Sequence, residues 1–134
     1  MLTSRKAEVS IEFLVFVGII LVFFVFFFGI IGGKTKEINE ISLYSNAQSI
    51  ADKVADEINI ASRFEGYYRE FRIPEKLLNG NNYTVIFHGD LRMIEVAWDG
   101  NNFMSTVDTQ NVSGNISPGI NKIRNQNGVI IIES

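Results

Sequence analysis

The chain has 134 residues, a formal net charge of −3, one histidine and no cysteine. That length admits one small domain. The composition excludes disulfides, thiolate nucleophiles and cysteine metal sites, leaves a zinc site or triad one imidazole to draw on, and offers nucleic acid no global attraction.

The hydrophobic share of 46% is unevenly spread. Residues 13–33 carry no charge, and all but four of them are apolar. The four exceptions are Gly18, Gly29, Gly32 and Gly33, and seven of the eleven phenylalanines lie in this block. Without it the hydrophobic share of the remainder falls to about 40%. As a helix the block would span about 31 Å, the thickness of a bilayer's hydrocarbon core, so it reads as a transmembrane segment. A secretory signal peptide fits less well, because its apolar region is shorter and ends at a small-x-small cleavage site. Arg5 and Lys6 precede the block, and a long domain follows it. That weak bias favours a cytoplasmic head and an outer C-terminal domain.

The head carries Glu8 and Glu12, four residues apart, with Ser10 between them. By spacing alone both carboxylates belong to a solvated first helical turn, where anions also suit the helix dipole. Gly29 and Gly33 form a small-xxx-small pair, which permits close helix approach or loosens the helix locally.

Arg5-Lys6-Ala7-Glu8-Val9-Ser10-Ile11-Glu12, running straight into the apolar block, resembles the class III signal peptide of archaeal type IV pilin-like proteins. In that family a basic stub and a small residue precede Gln-x-Ser-x-Glu and the hydrophobic helix. The resemblance implies cleavage by a prepilin peptidase between Ala7 and Glu8, with Arg5, Lys6, Ser10 and Glu12 completing the processing motif. Glu8 stands where the family has Gln, and Phe16 where it often has Leu. The resemblance further implies a subunit that polymerises through its helix, with Glu12 setting register between subunits; the Gly29/Gly33 spacing adds a candidate close contact to that assembly. The implied partners are the membrane, the peptidase, copies of itself or related pilins, and the filament assembly machinery.

Beyond Gly33 the pattern turns amphipathic. Ile38, Ile41, Tyr44, Ala47, Ala51, Val54, Ile58 and Ala61 step by three or four residues, opposite Glu37, Glu40, Asn46, Lys53, Asp56 and Glu57. One helix is expected over residues 8–62, following a signal segment 1–7 and containing the membrane span 13–33. Residues 63–134 then change to short β-like runs. Strands are expected at 67–73, 83–88, 91–98, 103–107, 119–124 and 129–133. Gly89-Asp90 reads as a two-residue hairpin turn. The stretches 99–102 and 125–128 read as further turns. The expected fold class is α+β: a long N-terminal transmembrane and amphipathic helix followed by a small antiparallel β-sheet or sandwich. The helix-to-strand junction (Gly66-Tyr67-Tyr68, Ile73-Pro74-Glu75) and the closing hairpin around Asn127-Gly128 also resemble the pilin-like family, more loosely.

The outer domain offers little chemistry. His88 reads as a solvated turn residue, and Asp90, Asp99 and Asp108 as turn formers. Tyr67, Tyr68, Phe87, Trp98 and Phe103 read as core. No calcium loop, phosphate loop or nucleophile elbow is present. No cofactor, metal or enzymatic activity is expected. Three N-glycosylation sequons begin at Asn82, Asn111 and Asn115, about twice the number expected by chance. Two functional classes remain in contention. The first is a structural subunit, major or minor, of a surface filament. The second is a single-pass membrane-anchored binding or adhesion module that never polymerises.

Overall fold

The computed structural model describes the backbone of residues 2–134 and the side chains of residues 10–134 except Thr35. Helix α1 (Leu2–Arg63) is followed by seven strands: β1 (Tyr68–Ile73), β2 (Thr84–His88), β3 (Met93–Trp98), β4 (Asn101–Thr106), β5 (Val112–Gly114), β6 (Gly119–Gln126) and β7 (Val129–Glu133). The chain divides into two compact units, Met1–Glu40 and Ile41–Ser134. The fold is α+β, with one long N-terminal helix and a mainly antiparallel β domain.

Met1–Glu40 is helical throughout its described length. The pair Gly32–Gly33 does not interrupt α1. Each glycine costs a helix about 1 kcal/mol relative to alanine, too little to outweigh the hydrogen bonds of the turns on either side. Helical backbone also extends N-terminal of Glu8, through the stretch expected to be the signal segment.

In Ile41–Ser134, α1 supplies Ala47, Ile50, Ala51, Val54, Ile58 and Ala61 to the core, none more than 2% exposed. The alanines let strands approach the helix closely, and Ile50, Val54 and Ile58 fill the space between them. A four-stranded sheet of order β1-β6-β7-β5 and a three-stranded sheet of order β2-β3-β4 both contribute to this core. Phe71, Ile73, Ile123, Ile130 and Ile132 come from the first, and Val85, Ile94, Val96 and Trp98 from the second. All pairings are antiparallel except β5 on β7, which is parallel. The first part of the helical stripe in this unit stays outside the core: Ile41 is more than 60% exposed, and Tyr44 is exposed with its ring edge-on to Trp98.

Two hairpins turn as their residues require. Asp99-Gly100 and Asn127-Gly128 are two-residue connections with positive φ at both positions, which Asn, Asp and Gly tolerate and which match the strand twist. The β2–β3 connection differs from the expected two-residue turn at Gly89-Asp90. His88 pairs with Met93, so the loop is four residues long. Arg92 closes it in the left-handed region (φ 51°), its carbonyl accepting the Val107 N–H at 2.9 Å. That bond ties the loop to the segment leaving β4.

α1 ends under a cap from the far side of the domain. Among the final carbonyls left without helical partners, that of Ala61 accepts the side-chain N–H of buried Asn125 on β6 at 2.8 Å. Glu57, expected on the polar face, is buried instead. Its carboxylate meets Arg69 of β1 at 3.2 Å and accepts a long hydrogen bond from the Tyr67 hydroxyl. Arg69 and Tyr67 thus compensate a charge that would be costly alone. Tyr68, expected in the core, is 64% exposed, because its neighbour Tyr67 takes the inward direction.

Tyr83 is 4% exposed and donates its hydroxyl proton to the Pro74 carbonyl. Burial pushes its pKa up to about 12, from the ordinary value of 10. The folded state therefore holds this proton more tightly than the unfolded state does. The stabilisation is complete below pH 10 and is lost as pH rises from 10 toward 12. Thermal melts across that range should show a falling Tm for the native chain and a shallower fall for Tyr83→Phe. Parallel slopes would exclude Tyr83 as a source of the alkaline sensitivity.

Candidate functional site: the exposed apolar helix segment

The feature that stands apart from ordinary folding is the N-terminal unit. From Ser10 onward α1 contains a window that is, by length and composition, long and apolar enough to cross a membrane, and the side chains of that window are unburied. Phe13, Phe16, Phe23, Phe24, Phe26, Phe27 and Phe28 are each more than half exposed. A surface patch of this kind exceeds what soluble monomers commonly expose, and a helix of this length and composition could cross a membrane. Every backbone hydrogen bond of a helix is made internally, which suits this segment to such surroundings.

The polar residues of the threshold lie within the same helix. Glu12 and Ser10 are exposed, one turn or less from Phe13. Glu12 makes no ion pair with another described side chain. The side chains of Arg5, Lys6, Ala7 and Glu8 lie outside the described residues. Gly29 and Gly33 are helical, and open space surrounds the position a Cβ would take at each, so another backbone can come close there. The only ion pair within this unit among the described residues joins Lys34 and Glu37 at 4.0 Å, at the polar end of the block.

The β domain carries a polar cluster on its three-stranded sheet. His88 ends β2 and is not a free turn residue: its Nε2 lies 2.6 Å from a carboxylate oxygen of Glu95, and Asn102 donates to the other oxygen at 2.8 Å. Those two hydrogen bonds, His88 first, hold the Glu95 carboxyl below its ordinary pKa. Glu95 pairs with Ile86 and lies two residues along β3 from Met93, the partner of His88, so only the β2–β3 register brings the two side chains onto one face as diagonal neighbours. Among the described residues no group of three or more His, Asp or Glu side chains could hold a metal ion. The sequon residues Asn82, Asn111 and Asn115 are all exposed, Asn82 before β2 and the other two flanking β5.

Comparison of the chain with protein-family models, with curated proteins and with solved structures finds no match.

Proposed function

We propose that the chain is a structural subunit, major or minor, of an archaeal type IV pilus-like surface filament. It is inserted in the membrane as a prepilin with its head in the cytoplasm and its β domain outside, is cleaved before Glu8, and polymerises through its apolar helix. The observation that carries this reading is the wholly unburied apolar stretch of α1 with a carboxylate, Glu12, at its N-terminal edge. A membrane anchor accounts for the length of the stretch. It does not account for Glu8, Ser10 and Glu12 arranged in the processing pattern at its threshold.

The chemistry is consistent with extraction from lipid into a filament core. Cleavage after Ala7 removes Arg5 and Lys6 and takes the formal charge from −3 to −5. It also creates an ammonium on Glu8. Glu12 of one subunit then pairs with the ammonium of a neighbour as both leave the headgroup region. A carboxylate left without a cation in that core would cost about 3–5 kcal/mol, which enforces register between subunits.

N-terminal sequencing of the chain recovered from cells that produce it should read Glu8 first, and electron microscopy should show filaments that vanish when the chain is deleted. Glu12→Ala should be cleaved normally yet be lost from filaments. A mature chain that begins at Met1 or Leu2 and forms no filament would overturn the proposal in favour of the anchored binding module.

A further inference from the structure

The asparagines of Ile41–Ser134 divide by what their side chains do. Of the twelve, eight engage their amides in hydrogen bonds within the domain. Asn46 accepts the Leu78 N–H, Asn59 accepts the Asp108 N–H, and Asn125 joins the Ala61 carbonyl to the Gly128 N–H. Asn127 holds a left-handed position (φ 54°) in the β6–β7 turn. The three that remain are Asn82, Asn111 and Asn115. All three are exposed, and none makes a side-chain hydrogen bond with any described residue. They are also the three that begin Asn-x-Ser/Thr sequons. A substituent on Asn59 or Asn125 would break a bond that ties α1 to the strands. A substituent on these three amides breaks nothing.

The hydroxyl two residues further on must also be reachable, and here the three part. Thr84 and Ser113 are exposed. Ser117 is half-buried, Asn121 holds both its N–H and its carbonyl, and Pro118 follows it. We infer that Asn82 and Asn111 carry N-linked glycans and that Asn115 stays bare. In each transfer the asparagine Nδ2 attacks the anomeric carbon of a sugar carried on a lipid phosphate. The N–C bond forms, the C–O bond to phosphate breaks, the lipid phosphate leaves with that electron pair, and the amide nitrogen gives one proton to a base of the transferase. The two acceptors share a location. Asn82 leads into β2, an edge of the three-stranded sheet, and Asn111 into β5, an edge of the four-stranded sheet. Val85 and Phe87 of β2 and Val112 and Gly114 of β5 line one hollow of about 300 Å³, so the two free edges lie on the same side of the domain. Bulky hydrophilic chains at the start of both strands bar strand addition there. The inference rests on the outward placement of the β domain proposed above, the side on which lipid-borne sugars are transferred.

Intact-mass and peptide mass spectrometry of the full chain from the cells that naturally produce it test this directly. The expected result is a mass above that of the bare polypeptide, with the excess mapped to Asn82 and Asn111 and none at Asn115. Thr84→Ala and Ser113→Ala should each remove one increment without touching an asparagine, and Thr84→Ser should keep it. An excess confined to Asn115, or one unchanged by Thr84→Ala and Ser113→Ala, would overturn the inference. The chain has no cysteine, so Lys76→Cys, at an exposed position of the β domain, gives a unique thiol for a membrane-impermeant maleimide applied to intact cells. A chain that is labelled but has the bare mass would overturn the glycans and leave the outward placement standing. A chain that is neither labelled nor heavier would overturn the outward placement and the glycans with it.

Discussion

Gly114→Ala is expected to detach β5 from β7. Gly114 has φ 105°, a conformation that side chains rarely adopt, and its Cα lies so close to the Ile132 carbonyl oxygen that an added Cβ would sit well inside contact distance of it. The obstacle is backbone of a paired strand, which cannot rotate away as a side chain could. Backbone strain alone costs about 1–3 kcal/mol, and the overlap adds to it, so about 3 kcal/mol or more is expected. The cheaper escape is for β5 to peel off. The parallel pairing Val112↔Ile130, Ser113↔Ile131 and Gly114↔Ile132 would then be lost, with the Asn115 N–H to Ile132 carbonyl bond beside it, and the buried Ile116 would be exposed. Hydrogen exchange at Ile130 and Asn115 should rise sharply, since their amides donate to Asn111 and Ile132 across this contact. Gly66→Ala is the control. Gly66 also has positive φ, 76°, but open space around it, so only about 1 kcal/mol is expected there. Equal effects at the two positions would show that the close approach at Gly114 contributes nothing.

Strand β5 is also where reading from residues stops short. Val112-Ser113-Gly114 is too brief to alternate, and glycine argues against a strand; only its parallel partner β7 makes it one. The longer elements were legible because their patterns are long. The helix was expected to end at residue 62 and ends at Arg63, and the six expected strands lie within two residues of their observed starts and ends. Buried polar groups were not legible. β6 alternates perfectly in burial, yet its inward row is Gly119, Asn121, Ile123 and Asn125 while Ile120 points outward. Hydrophobicity alone cannot choose between the two faces of such a strand. Local hydrogen bonding decides: Asn121 satisfies the Ser117 N–H and carbonyl, and Asn125 caps α1 and accepts the Gly128 N–H. Glu57 was placed on the polar face for the same reason, since nothing near it in sequence announces Arg69.

The candidate site was legible to a different degree. An apolar run with a charged threshold is a one-dimensional feature, so the exposed apolar stretch of α1 is legible without knowledge of any contact. Whether the β domain has its own ligand site depends on contacts between strands distant in sequence, as the His88–Glu95–Asn102 cluster does.

Ile58→Ala is expected to destabilise the β domain by about 2–5 kcal/mol, while Ile41→Ala in the same stripe changes its stability by less than about 0.5 kcal/mol. Both isoleucines step along one helix at the same three- or four-residue spacing, and the sequence treats them alike. Ile58 is 0% exposed among both sheets' inward residues, so truncation leaves a cavity that Ala51, Val54 and Ala55, already fully packed, cannot collapse to fill. Ile41 is 63% exposed and loses little on truncation, and alanine is the better helix former. For a folded unit of this size a loss of 3 kcal/mol lowers Tm by about 12–24 °C. Trp98 is the chain's one tryptophan and is buried beside this core, so its fluorescence in detergent-solubilised full-length protein reports on the β domain without interference from the apolar segment. Equal Tm losses at the two positions would mean that the stripe is buried along its whole length. A loss confined to Ile58 would place the stripe's contribution to the fold at its buried C-terminal part.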